Sequence, residues 1–175
     1  ADKPASSRTL SPALEAVFEA AVMASQRQNW KVADKLYVDV LRQAPEFPPA
    51  HFNHAVALLN LNRLAEAEAP LRRAMELEPD YLFASSTMAL LMARQGRTAE
   101  AREAIGRIAI PPETHPDALA AYYCAQAEVS LAEGDHDSAR NWLEEAAKCS
   151  PDNPQVQALQ RRMDLLGSVR NLFSN

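Results

Sequence analysis

An all-α array of helix–turn–helix units is the fold class this sequence predicts, and three observations carry it. Only four of the 175 residues are Gly and β-branched runs are scarce, while Ala and Leu are prominent. Apolar residues recur at three- and four-residue spacing in one segment after another. One helix–turn–helix unit is written four times at a nearly fixed period.

The elements follow in order. Residues 1–10 carry Pro4, Ser6 and Ser7 and little hydrophobicity, so a disordered leader or tether is expected there. Ser11-Pro12 opens the first helix, Ser as N-cap and Pro where its missing N–H costs nothing. Val17, Ala20, Ala21 and Ala24 form its core stripe, and Phe18, Val22 and Ser25 a second one. After a turn at Gln28-Asn29 comes a helix with Trp30, Ala33, Tyr37, Val40 and Leu41, which stops before Ala44-Pro45. The second pair turns at Asn62-Arg63. Its first helix has stripes through His51, His54, Ala55 and Leu58 and through Phe52, Val56 and Leu59. Its second carries Leu64, Ala67, Leu71, Ala74 and Leu77, with a kink expected near Pro70. The third pair spans Leu82 to about Ile108 with its turn at Gly96, and the fourth turns at Gly134 and ends at Pro151. Asn153-Pro154 caps a last helix running to about Phe173, whose stripe Val156, Leu159, Met163 and Leu166 is expected to cover the fourth pair.

Aligning the turns exposes the period. Gln28 to Asn62 and Asn62 to Gly96 are each 34 residues, and Gly96 to Gly134 is 38, the extra four falling in the Pro111–Pro116 connection. Five residues after each turn stands a small residue, Ala33, Ala67, Ala101 or Ala139. Nine after stands a bulky one, Tyr37, Leu71, Ile105 or Leu143. Pro45, Pro79 and Pro151 each lie seventeen after their turn. This 34-residue pattern resembles the tetratricopeptide repeat over residues 11–151. It departs from the family at the early aromatic position, which holds Val17, His51 and Ser85 before Tyr123, and at the turn glycine, replaced by Gln28 and Asn62. The resemblance implies a right-handed superhelical solenoid in one domain over 11–175. Its repeats fall at about 11–45, 48–79, 82–112 and 115–151, with a closing helix over 154–173. One such unit cannot bury its apolar face alone, so neighbours must stack.

Composition narrows the function. A net charge of −5 disfavours nucleic-acid binding, and Arg72-Arg73 and Arg161-Arg162 are read as solvated helix faces. Cys124 and Cys149 form no CxxC or Cys/His cluster and are read as thiols. No stretch approaches the roughly 20 apolar residues of a membrane span. The expected location is the cytoplasm, or the periplasm or a membrane tether if an N-terminal segment has been removed. Four glycines make no phosphate loop, and no catalytic constellation stands out, so neither enzyme activity nor a cofactor is expected. His51 and His54 are read as core or boundary histidines facing the paired helix, not as metal ligands.

The resemblance also implies where binding occurs. It places the first helix of each pair on the concave side, so their second stripes would line a groove. The expected peptide-binding residues are Phe18, Val22, Phe52, Asn53, Val56, Leu59, Asn60, Leu90, Arg94 and Glu128. One subgroup of the family clamps C-terminal carboxylates with Lys and Asn on this face. Here Phe18, Val22, Ser86 and Leu90 occupy the basic places and only Asn53 matches. An apolar or amphipathic peptide or helix is therefore the expected partner, its Leu-sized anchors contributing about 1.5–3 kcal/mol each before association costs. The alternative is a self-assembling structural protein. The last helix is apolar nearly all round after Met163, and Leu165, Val169, Leu172 and Phe173 are the expected oligomer contact. Either the natural chain is expected to continue beyond this point, or that end is expected to dock on another copy or into a groove.

Overall fold

The structure is a computed structural model that describes residues 9–172, with side chains described through Ser168. Most of the expected leader, and Phe173 of the expected oligomer contact, lie outside the described residues, as do the side chains of Val169 and Leu172. Among the described residues there are nine α-helices and no strand: α1 (Pro12–Gln26), α2 (Trp30–Gln43), α3 (Pro48–Asn60), α4 (Leu64–Leu77), α5 (Leu82–Arg94), α6 (Thr98–Gly106), α7 (Pro116–Ala132), α8 (His136–Cys149) and α9 (Pro154–Leu172).

All four turns are built alike. Gln28, Asn62, Gly96 and Gly134 stand in the left-handed region, at φ of 58°, 59°, 76° and 80°. Each donates its N–H three residues back, to the carbonyls of Ser25, Leu59, Ala93 and Leu131. The next residue donates five back: Asn29 to Ala24, Arg63 to Leu58, Arg97 to Met92 and Asp135 to Ser130. This pair of bonds satisfies carbonyls that the helix end would otherwise leave open. The second donor then begins the following helix, so one residue closes one helix and opens the next. The later boundaries follow the prolines. Ala44, Glu78 and Ser150, each before a Pro, leave the helical region with ψ of 68°, 87° and 82°.

Caps appear where side chains supply them. Leu14 N–H donates to Ser11 Oγ at 3.3 Å, Ser138 N–H to Asp135 Oδ1 at 3.0 Å and Gln155 N–H to Asn153 Oδ1 at 2.9 Å. α4 runs unbroken through Pro70, and α6 is shorter than expected, ending at Gly106.

Two compact units result, Ala1–Ala84 and Ser85–Asn175, and the division falls inside α5. In the first unit α1 packs on α2, α2 on α3 and α3 on α4. One cluster joins Ala21, Ala33, Tyr37 and Ala57, and a second joins Leu14, Val40 and Ala50. The buried Tyr37 hydroxyl lies 3.1 Å from Ser25 Oγ. In the second unit α6 packs on α7, α7 on α8, and α9 on both α7 and α8. Ala89, Leu90, Ala93, Ala101, Ile105, Ala125 and Val129 form one core. Cys124, Ala127, Leu143, Ala146, Val156 and Leu159 belong to the other.

Two expected core positions are on the surface. Ala20 is exposed, because α1 turns its Leu14 and Ala21 inward and leaves the Ala16–Ala20 side uncovered. Leu166 is 46% exposed, so the packed face of α9 ends at Met163.

The left-handed turns generate a paired prediction. Left-handed backbone strains a side chain, and a Cβ at Gly96 meets nothing within 4 Å, so strain alone decides there. Gln28→Gly is expected to raise unfolding free energy by about 0.5–1 kcal/mol and Gly96→Ala to lower it by about 1 kcal/mol, both read from urea unfolding midpoints.

Candidate functional site

On the first unit, the expected groove stripe centres on an aromatic cluster. Phe52 of α3 meets Tyr81 with ring centroids 5.4 Å apart and Phe83 of α5 at 5.8 Å; Tyr81 and Phe83 are 6.0 Å apart. All three are half-buried. Burial, with Glu78 adding to it, pushes the Tyr81 phenol up to about 12, so it stays a neutral donor at any ordinary pH. A similar contact stands one repeat earlier, where Phe18 meets Phe47 edge-on at 5.2 Å. Phe18 also packs on Tyr37 and in both clusters of that unit, which makes it a seam residue between helices.

The other groove residues divide by exposure. Val22, Asn53 and Val56 are half-buried and offer surface. Asn60 is exposed, with its amide donating to the Val56 carbonyl at 2.9 Å. Leu59 is buried, so it supports this face from beneath. Tyr81 and Phe83 escaped sequence reasoning, although one signal was present: Phe47 and Tyr81 each stand fifteen residues before a turn.

In the second unit the corresponding stripe is ionic. Glu128 of α7, only 6% exposed, accepts from Arg94 of α5 at 3.0 Å and from both terminal nitrogens of Arg162 of α9, Nη1 at 2.9 Å. Leu90 is buried in the core beside it. Glu128 and Arg94 therefore hold each other, and Arg162 is a partner of theirs, not a freely solvated charge. The signal for Arg162 was its spacing: Arg94, Glu128 and Arg162 are 34 residues apart. The arrangement places two guanidinium groups over one carboxylate and leaves a local positive excess at the surface.

Both histidines bond to residues that precede their own helix pair. His54 Nε2 lies 2.8 Å from Asp34 Oδ1 of α2, and Asp34 Oδ2 accepts from Arg63 at 2.6 Å. Arg63 also grips Glu66 with two bonds, holding that carboxyl below its ordinary range. A carboxylate does accompany His54, then, but from the preceding pair. His51 Nε2 reaches the Pro45 carbonyl at 2.8 Å, and among the described residues no group of three metal-ligating side chains occurs. Cys124 is fully buried in the core, and its thiol is pushed up to about 12, first by burial and then by Glu128. At neutral pH it is a small apolar filler. Of the expected oligomer contact, Leu165 is 67% exposed.

A family model described as tetratricopeptide repeat matches residues 18–81 and 87–154, well over half of the chain. A search of curated proteins finds no match. Among solved structures, MamA from Desulfovibrio magneticus RS-1 is 13% identical over 95% of this chain and 94% of that one, with a TM-score of 0.61. YrrB, described as a TPR protein with an unusual peptide-binding site, is 20% identical over 90% and 76%, with a TM-score of 0.57. The TPR2B domain of yeast Sti1, in complex with pHsp70, is 23% identical over 82% and 100%, with a TM-score of 0.54. At these identities the likeness is one of fold.

The ionic stripe yields a stability prediction. Removing the shared carboxylate leaves two guanidinium groups facing each other, though both reach water. Glu128→Gln is expected to cost about 2 kcal/mol in urea unfolding, more than Arg94→Gln or Arg162→Gln, either of which leaves Glu128 one partner.

Proposed function

This chain belongs to the tetratricopeptide repeat family, and from that premise we propose that it is a non-catalytic scaffold that binds an apolar or amphipathic peptide or helix. The observation that carries the reading is the half-buried cluster of Phe52, Tyr81 and Phe83, with Asn53 and Val56 on the same helix. Aromatic rings fixed against each other present apolar area at little entropic cost, and nearby amides orient a peptide backbone. Half-buried groups have area left to lose, whereas Leu59 and Leu90 have almost none. The descriptions of YrrB and of the Sti1 domain, which concern peptides or a peptide complex in those proteins, agree with this reading.

A second reading has its own observation. Leu165 and Leu166 are 67% and 46% exposed on consecutive positions of α9, which favours self-association through that helix.

Selection from a random peptide library on the immobilised chain tests the first reading. Sequences with two or three apolar anchors are expected, and Val56→Asp should weaken the selected peptides at least tenfold while the helical circular dichroism is unchanged. Peptides that bind Val56→Asp equally well would refute it. For the second reading, the mass in solution is measured with and without Leu165→Glu/Leu166→Glu. An oligomer that the substitution dissociates is expected, and a monomer in both cases removes that reading.

A further inference from the structure

One stripe of the first helices stays open in the interior of the repeat pattern. Positions six and two before each turn are Val56 and Asn60 in α3, Leu90 and Arg94 in α5, and Glu128 and Ala132 in α7. α3 has a helix pair before it and helices after it, yet Val56 is only half-buried and Asn60 is exposed. Openness on this stripe therefore belongs to the interior copy and does not depend on where the array begins or ends.

In the second unit the stripe carries an unbalanced charge. Arg94 donates to Glu128 Oε1 at 3.0 Å, and Arg162 donates to both oxygens of the same carboxylate. A guanidinium has five N–H donors. Arg94 commits one of them and Arg162 two, and the others meet no acceptor among the described residues. The two side chains are 37% and 42% exposed. Arg72, Arg97, Arg102 and Arg107 each hold a carboxylate, that of Glu68, Glu100, Glu133 and Glu103 respectively. Arg94 and Arg162 instead share one, in a chain whose net charge is −5.

The count of charges selects the ligand. Two guanidinium groups against one carboxylate leave a single positive charge, which one further carboxylate neutralises. A phosphate ester carries nearly two negative charges and would overshoot beside the buried Glu128. Glu128 also fixes both guanidinium groups in place, so a ligand meets donors that are already ordered.

We propose that Arg94 and Arg162, held by Glu128, form a seat for one carboxylate, supplied by an acidic side chain within a partner peptide. An internal side chain is the source because the places where the family's clamp holds a terminal carboxylate are Ser86 and Leu90 in this unit, 1% and 3% exposed. The seat is built from α5, α7 and α9 alone and does not rest on the aromatic face of the first unit. Residues 1–8 and 169–175 of this chain carry one acidic side chain, Asp2, which the test includes.

The probes are bead-bound pools of N-acetylated, C-amidated octapeptides with a fixed central Glu, Gln or phosphoserine and randomised uncharged flanks, incubated with the labelled full chain. The Glu pool is expected to retain about fivefold more chain than the Gln pool, and the difference to shrink as salt rises. Arg94→Gln and Arg162→Gln should each abolish that preference while helical circular dichroism is unchanged. Val56→Asp should leave it intact, so this seat and the peptide face stand or fail separately. In the unsubstituted chain the Nε–H NMR signals of Arg94 and Arg162 should shift saturably with the Glu peptides and not with the Gln peptides. Equal retention of the two pools, a preference that survives both arginine substitutions, or unmoved arginine signals overturns the proposal. A phosphoserine pool that outbinds the Glu pool overturns it in favour of a phosphopeptide, and a Gln pool made equal to the Glu pool by a free C-terminus overturns it in favour of a chain end. A gain in Glu-pool binding on Asp2→Asn overturns it in favour of this chain's own N-terminal segment.

Discussion

Close approach of helices at alanine is the constraint on which the rest of the structure depends. Ala33, Ala67, Ala101 and Ala139, five residues after their turns, are all fully buried. A larger side chain there would force the helices apart and open voids along the crossing. Four residues later the bulky residue, Tyr37, Leu71, Ile105 or Leu143, fills the space that the crossing leaves, and each is almost entirely buried. The small and large positions work as one device. The small one sets the distance and the large one fills the volume beside it.

Because the crossing fixes the distance, it also creates a polar slot whose chemistry is free to vary. Six residues after the turn of one pair faces eight residues before the turn of the next. In the first unit the slot pairs Asp34 with His54 at 2.8 Å. In the second it pairs Arg102 with Gln126 at 3.2 Å, and Gln126 in turn donates to the Tyr122 hydroxyl. Each slot recruits a further charged side chain opposite in sign to the slot's own ion, Arg63 for Asp34 and Glu133 for Arg102, so the signs are reversed between the two slots. Such half-buried polar groups must be paired to be tolerated, which ties adjacent copies together wherever the slot is polar on both sides.

This explains which parts of the structure were legible in the sequence. The small and large residues recur in residue type, so turns, helix order and the identity of most core positions could be read directly. The left-handed turn residue recurs in position but not in type, and Gln28 and Asn62 looked like departures although they adopt the backbone of Gly96 and Gly134. The polar slots recur in neither type nor sign, so His54 was assigned to the wrong neighbour. Glu128 lay on the expected groove stripe, but its capture by Arg94 and Arg162 depends on three helices that periodicity within one helix does not relate. Exposure was the hardest property to read: Val56 and Leu59 look alike in sequence, yet only one has surface to offer.

The two terminal helices show the same constraint from its open side. In α9 the residues at the register positions that face a paired helix elsewhere, Gln157, Arg161 and Asp164, are polar and exposed. In α1 the positions that face a preceding helix elsewhere keep the small and apolar types of an interior copy, and the slot residue is Ala20 instead of a polar group. A polar slot residue left without its counterpart would be solvated, and covering it would require stripping that water away. Alanine carries no such penalty, and it is also the side chain that lets a second helix come closest.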